Sequence, residues 1–137
     1  MISAAIENLI PHRAPMRFID ALVECTETTA AANAIFGAEH FAVESGLVLE
    51  TALVECVAQT AAAALGWRAQ AGGKTGAANN GMLIAVTNFH IQSRPAAGKI
   101  LRIEISERKR LGLMLMISSV IICEGKIIAT GDLTLYA

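Results

Sequence analysis

The 137-residue chain is apolar and almost neutral: 54% of its residues are hydrophobic, and 11 basic residues against 12 acidic ones give a net charge of -1. This balance provides no field for nucleic acid or an anionic membrane, so neither is expected as a partner. The length predicts a single domain over residues 1–137, and the apolar surplus predicts a subunit interface, in a homodimer or a higher homo-oligomer.

No stretch reaches the roughly 18 apolar residues of a spanning helix, and the N-terminus lacks the basic start of a signal peptide. We therefore expect a cytoplasmic protein. Cys25, Cys56 and Cys123 are widely spaced and form no CxxC pair, which favours free buried thiols. The histidine spacings fit no metal motif, so no metal site is predicted.

The chain opens with short elements. Ser3 to Leu9 predicts an amphipathic helix capped by Ser3. Pro11 and Pro15 then predict a rigid, extended segment, because each proline fixes its own φ and biases the residue before it away from helix. Two strands follow, near Met16 to Cys25 and Thr28 to Phe36, with a tight turn between them.

The stretch from Gly46 to Gln70 is the only run long and apolar enough to be a central helix. Thr51, Glu55 and Gln59 recur at four-residue intervals and form one narrow polar line. A helix that is apolar nearly all round is enclosed by its domain, so Glu55 is predicted to be a carboxylate that burial would penalise unless it is paired or neutral. The alternative is a thin stripe that faces solvent.

After the helix, residues 71–81 predict a mobile loop. Gly73-Lys74-Thr75 resembles the end of a phosphate-binding loop, but Arg68 stands where that loop needs a glycine. Four antiparallel strands are then predicted: Met82 to Ser93, Lys99 to Arg110, Leu111 to Cys123 and Lys126 to Tyr136. Two strands, one apolar helix and four strands predict an α+β fold in which an antiparallel sheet is wrapped around the helix.

This predicted architecture resembles the hot-dog fold, and three motifs resemble one of the families with that fold. Pro11 to Asp20 resembles the PHRxPxxxxD opening of the β-hydroxyacyl-acyl-carrier-protein dehydratases. His40-Phe41 resembles the HF of their GHFPG motif, and Glu55 to Gln59 matches ExMAQ at three of four positions. The resemblance extends from about Ile10 to the C-terminus and includes the strand, corner and strand of Asn88 to Ile105.

The resemblance implies dehydration of a β-hydroxyacyl thioester on acyl carrier protein, without a cofactor. His40 would be the base for the α-proton and Glu55 the acid for the leaving hydroxyl, the two coming from different subunits of a dimer. A backbone N–H at the helix start would bind the carbonyl oxygen. The remaining residues expected to contact substrate are Gly46, Leu49, Glu50 and Gln59.

Other polar residues have structural or docking interpretations. Gln59 is expected to hold Glu55 in place, and His12 and Arg13 to pin the N-terminal segment. His90 is taken as structural. Basic residues could meet an acidic carrier protein, although such runs are usually solvated strand ends; they are Arg13, Arg17, Arg94, Lys99 and residues 108–110.

The departures from the family pattern surround the histidine. Glu39 replaces the glycine before it, Ala42 and Val43 replace the proline and glycine after it, and Leu49-Glu50 replaces a Pro-Gly near the helix start. Such short divergent members resemble dehydratases of aryl polyene or polyketide gene clusters. Two alternatives stay open: an acyl thioesterase on the same fold, and a non-catalytic subunit that binds carrier protein and forms a hetero-oligomer with another hot-dog protein.

Overall fold

The computed structural model describes Ile2, residues 4–73 and residues 82–136, with the backbone alone for Met82 and Ile84. A short 3-10 helix at Ile6–Asn8 precedes the main elements. The strands are β1 Ala21–Cys25, β2 Thr29–Ile35, β3 Val43–Glu44, β4 Leu47–Val48, β5 Met82–Ile91, β6 Ile100–Leu111, β7 Met114–Cys123 and β8 Lys126–Tyr136. The helix α1 is Glu50–Ala71.

Six of these strands form one antiparallel sheet in the order β1-β2-β6-β7-β8-β5. Its residues alternate between a face packed on α1 and an outer face, as the two-residue period of a strand requires. The buried face of β2 consists of Ala30, Ala32 and Ala34, whose small side chains let α1 lie close to the sheet. The predicted α+β hot-dog arrangement is confirmed.

Helix α1 is buried on most of its circumference, as its apolar sequence predicts. Its fully enclosed residues include Leu53, Cys56 and Val57, which belong to the same core cluster as the sheet. One side remains partly open along Val54, Ala58 and Ala62. The enclosure is therefore incomplete within one chain, and the open side is the side on which Glu55 lies.

The N-terminal segment runs along α1 and differs from the prediction. Ser3 lies outside the described residues, and the helix is limited to Ile6–Asn8. The expected extended segment is wrong, because the Arg13 carbonyl accepts the amides of Met16 and Arg17 in a turn (2.8 and 3.0 Å). Strand β1 begins at Ala21 and not at Met16, because a helix side chain, that of Gln59, bonds the Met16 carbonyl and the amides of Phe18 and Ile19.

Between β2 and α1 the chain forms a hairpin that the sequence did not reveal. Strands β3 and β4 are joined by Ser45 and Gly46, whose φ values of 55° and 79° suit a two-residue turn with both central residues left-handed. The Arg94 guanidinium donates to the carbonyls of Leu47 and Val48 (3.2 and 2.9 Å) and fixes this hairpin.

The sheet has β1 and β5 at its edges. Strand β5 is the longer, and it exposes Leu83 and Val86 (39% and 41%), of which Leu83 lies by Ala58 and Ala62 on the open side of α1. Of the mobile loop predicted at residues 71–81, Ala71 is the last residue of α1 and Gly72 is its C-cap, while residues 74–81, including Lys74 and Thr75 of the phosphate-loop-like motif, lie outside the described residues. Within the described ranges, no helix has the length and apolar character needed to cross a membrane.

Candidate active site

Glu55 lies in the second turn of α1, in the polar line that the sequence predicted. Thr51 at the helix start is exposed, the Glu55 side chain is 36% exposed, and Gln59 is fully buried. The line therefore descends from solvent into the core, with Glu55 at the boundary. This position gives a carboxylate both an anchored side and an accessible side.

Gln59 is the anchor of Glu55. Its Nε2 donates to Glu55 Oε2 (2.9 Å) and to the Met16 carbonyl (2.8 Å), while its Oε1 accepts the amides of Phe18 (2.8 Å) and Ile19 (3.4 Å). Both amide hydrogens and both lone pairs are engaged. Gln59 thus holds Glu55 as expected, and it has no free polar group for the substrate contact that was also predicted.

His12 contacts Glu55, which the sequence interpretation missed. Its Nε2 lies 3.5 Å from Glu55 Oε2. Of the two residues expected to hold the N-terminal segment in place, Arg13 does so, because its side chain donates to the carbonyls of Glu7 and Ile10 (3.0 and 2.9 Å). His12 and Glu55 line a cavity of about 170 Å³ whose other walls are apolar: Ala58, Ala62, Leu83 and Leu135. The PHR motif was the available signal, but only the tertiary arrangement shows which residue His12 meets.

The thiol beside this site is held neutral. Cys56 is fully buried, and burial raises its pKa above the ordinary thiol range, with the charges of Glu55 and Asp20 adding to the effect. Burial also raises the pKa of Cys25, where Arg68 partly opposes it, and of Cys123. The predicted free thiols are confirmed, although Cys25 is only partly buried.

His40 lies in the turn between β2 and β3, inside an aromatic cluster. Its ring stacks on Phe41 and meets Phe18 and Phe36 edge-on, with centroid distances of 4.8, 5.4 and 5.1 Å. Its Nδ1 accepts the amide of Ala42 (3.0 Å), so the neutral ring carries its proton on Nε2. In this geometry Nε2 is a donor and lacks the lone pair that the predicted base role requires.

His40 and Glu55 share no hydrogen bond or ion pair within the described part of one chain. Phe18 connects their surroundings, since its ring contacts His40 while its amide donates to Gln59. The structure therefore places both residues beside the residue 16–20 segment. It does not bring their side chains together in a single chain.

Ser45 and Gly46 belong to the exposed hairpin turn, and the helix starts after them. Leu49 is the N-cap and has no side-chain capping bond, and its amide donates to the Ala42 carbonyl (2.7 Å). The Glu50 side chain is exposed. Among the hydrogen bonds of the described residues, none uses the Glu50 or Thr51 amide as donor, so both remain available to an anion at the positive end of the helix.

Residues 4–137 match the model of one protein family, ApeP-like, described as ApeP dehydratase. The chain belongs to this dehydratase family. The match confirms the relationship to hot-dog dehydratases that the three motifs indicated. A comparison of the ApeP-like chain with curated proteins found no significant match.

Solved structures resemble the ApeP-like chain in fold. The dehydratase heterocomplex ApeI:P from Xenorhabdus doucetiae matches with a TM-score of 0.88 and 19% identity over 98% of this chain and 91% of that chain. The E. coli PaaI protein from the phenylacetic acid degradation operon matches with a TM-score of 0.67 and 14% identity, over 85% of this chain and 81% of that chain. A hypothetical thioesterase with coenzyme A from Streptococcus pneumoniae matches with a TM-score of 0.65 and 9% identity, over 85% of this chain and 83% of that chain. Identities this low show the fold alone.

Proposed function

We propose that this ApeP-like protein is a 3-hydroxyacyl-[acyl-carrier-protein] dehydratase that converts a β-hydroxyacyl thioester to the trans-2-enoyl thioester. Its setting would be aryl polyene, fatty acid or polyketide-like synthesis in the cytoplasm. The observation that carries the proposal is Glu55: a carboxylate anchored by a buried amide and lining, with His12, an otherwise apolar cavity, in a chain of a dehydratase family.

The chemistry needs a proton acceptor, a proton donor and stabilisation of the thioester oxygen as it gains charge. Glu55 is the proton-transfer group beside the cavity. The free amides of Glu50 and Thr51, with the His40 Nε2–H, are the donors suited to a developing oxyanion. Dehydration moves protons without redox change, so the proposal includes no cofactor.

A dimer would complete this site. Strand β5 has a free edge, and an unpaired edge of ten residues is a template for pairing with another chain. The exposed Leu83 and Val86 continue the apolar open side of α1. Pairing of two β5 edges would cover this surface, and we propose that it brings His40 of the partner subunit toward Glu55.

The carrier protein is proposed to meet the unpaired basic residues. Arg94 is engaged by the β3–β4 hairpin, Lys99 by Glu124 (3.4 Å), and Arg13 and Arg17 by Glu7 (3.8 and 3.6 Å). Of the basic residues that the sequence suggested for carrier-protein docking, Arg108 and Lys109 have no ion-pair partner among the described residues. Reversing both charges with Arg108→Glu and Lys109→Glu should raise KM for the carrier-bound substrate and leave KM for a small thioester unchanged.

A second candidate is the non-catalytic partner subunit, and the His40 geometry favours it. With Nδ1 occupied by the Ala42 amide, the ring offers no basic nitrogen at Nε2. This protein resembles a chain of the ApeI:P dehydratase heterocomplex in fold over 98% of its length. Under this alternative the protein would act only when mixed with a second hot-dog subunit.

One assay separates these candidates. The purified protein is incubated with β-hydroxyacyl carrier protein substrates of several chain lengths, and enoyl absorbance and free thiol are followed together. Enoyl product from the protein alone supports the proposal. Free thiol without enoyl product would indicate the thioesterase alternative, and activity that needs a second hot-dog subunit would indicate the non-catalytic partner.

A further inference from the structure

The position of His12 is fixed on both sides by contacts with α1. Before it, the Gln70 side chain donates to the Asn8 carbonyl (2.7 Å), and the missing side chain of Gly66 admits the Leu9 backbone against the helix. After it, Gln59 holds residues 16–19. The imidazole therefore meets Glu55 because the backbone places it there, and not through a chance surface rotamer.

The protonation pattern of the His12 ring follows from its surroundings. Its Nδ1 is buried and has no hydrogen-bond partner among the described residues. A proton on Nδ1 would be a buried donor without an acceptor, which is costly, so the neutral ring carries its proton on Nε2. That nitrogen is the one 3.5 Å from Glu55 Oε2, within ion-pair range and longer than an ordinary hydrogen bond.

The two oxygens of Glu55 consequently have different environments. Oε2 accepts a hydrogen bond from Gln59 Nε2 (2.9 Å), and His12 Nε2 lies 3.5 Å from the same oxygen. Oε1 has no hydrogen-bond or ion-pair partner among the described residues. The Gln59 donor at Oε2, with the His12 ring nitrogen beside it, suits a carboxylate oxygen, which only accepts, and it restricts the plane in which the other oxygen lies.

We propose that His12 is a positioning residue that, together with Gln59, holds Glu55 as an oriented carboxylate with Oε1 as the oxygen that meets the substrate. The inference rests on the proposed function for its chemical meaning. It changes the expected role of Glu55, because a group that starts the reaction as a carboxylate must accept a proton before it can donate one.

The proton balance of this step needs no further group. Oε1 takes the α-proton, the electrons of that bond form the double bond between the α- and β-carbons, and the bond from the β-carbon to oxygen breaks. The proton now on Glu55 passes to the departing hydroxide, giving water. Glu55 returns to the carboxylate state, and His12 keeps its Nε2 proton throughout.

The resting geometry can be tested without substrate. The chain has three histidines, so ¹⁵N-histidine NMR can be assigned with one variant of each. The proposal predicts the Nε2–H form at His12, with ring shifts that change in Glu55→Leu and stay constant in Glu27→Leu, a matched change at an exposed carboxylate. Measured at mildly alkaline pH, an Nδ1–H ring, or shifts indifferent to Glu55→Leu, would overturn it.

The kinetic test compares His12→Leu with His12→Gln, which retains an N–H donor. With β-hydroxybutyryl N-acetylcysteamine thioester, His12→Leu should lower kcat about 10- to 100-fold with little change in KM, and His12→Gln should recover most of it. His90→Leu on the exposed outer face is the control. Equal losses in both His12 variants, or none, would overturn the positioning role. If the wild type gives no enoyl product with any substrate, the proposed function fails, and the NMR result still decides the His12 geometry.

Discussion

Gln59 and Glu55 are joined one helical turn apart by a hydrogen bond of 2.9 Å, and the same buried amide closes the N-terminal segment over α1 through three backbone contacts. One side chain thus supports both the packing of residues 16–19 and the orientation of the carboxylate. Stability and activity should therefore change together when it is removed.

Gln59→Leu should lower the free energy of unfolding by about 2–4 kcal/mol, because it leaves the Phe18 and Ile19 amides buried without their acceptor. Activity should fall as well, since Glu55 loses its anchor. Thr60→Val is the matched control, because the Thr60 hydroxyl bonds only the Cys56 carbonyl of its own helix (2.7 Å). Urea denaturation and enoyl formation measure both effects; equal stability losses in the two variants would contradict this account.

Gly66→Ala should be destabilising although alanine normally favours a helix. A Cβ at this position would collide with the backbone of Leu9, which cannot withdraw as a flexible side chain could. We expect a loss of about 1–3 kcal/mol and a lower kcat, because the segment that carries His12 is displaced. Gly72→Ala, whose Cβ would make ordinary contacts of 3.5 Å, is the control. A gain in melting temperature for Gly66→Ala would refute the close approach.

Val86→Asp should weaken the proposed dimer. Val86 is exposed on the free β5 edge, and a carboxylate there would be buried against a second subunit. Light scattering after gel filtration should show a shift toward monomer, with parallel loss of activity. Ile127→Asp, also at an exposed position, should leave the oligomer intact. An unchanged oligomer in Val86→Asp would exclude this edge as the interface.

Cys56 should be almost inert toward alkylating reagents. Burial and the nearby carboxylates raise the pKa of its thiol, so little thiolate is present in the folded protein. Cys25, only partly buried, should be alkylated first when the products are mapped by mass spectrometry. The raised pKa also predicts a stability change: the unfolded chain ionises its thiol near the ordinary value of 9.0, so the free energy of unfolding should fall as pH rises above it. Replacement by Cys56→Ala should flatten that fall.

The sequence predicted the sheet and the helix well, because strand alternation and an all-round apolar helix are local patterns. The four strands after α1 lie where their apolar runs indicated. Residues 16–20 were misassigned as strand because nothing local shows that Gln59, some forty residues away, bonds the backbone of Met16, Phe18 and Ile19. The β3–β4 hairpin was missed because two-residue strands carry no periodicity.

The candidate site was only partly predictable for a similar reason. The order of the motifs indicated Glu55, Gln59 and His40. The four-residue spacing of polar side chains on α1 also predicted that Gln59 contacts Glu55. The His12 contact depends on how the N-terminal segment packs along the helix, which spacing does not encode. The Nε2–H form of His40 depends on a single backbone amide, that of Ala42.

The most direct measurement of the central claim is enoyl thioester formation by the wild type and by Glu55→Gln on the same carrier-bound β-hydroxyacyl substrate. Glutamine can still accept the Gln59 bond, so the fold should be retained while proton transfer at this position is lost. We expect the rate to fall about 10²- to 10⁴-fold with an unchanged melting temperature. A Glu55→Gln variant that forms enoyl product at the wild-type rate would contradict the account.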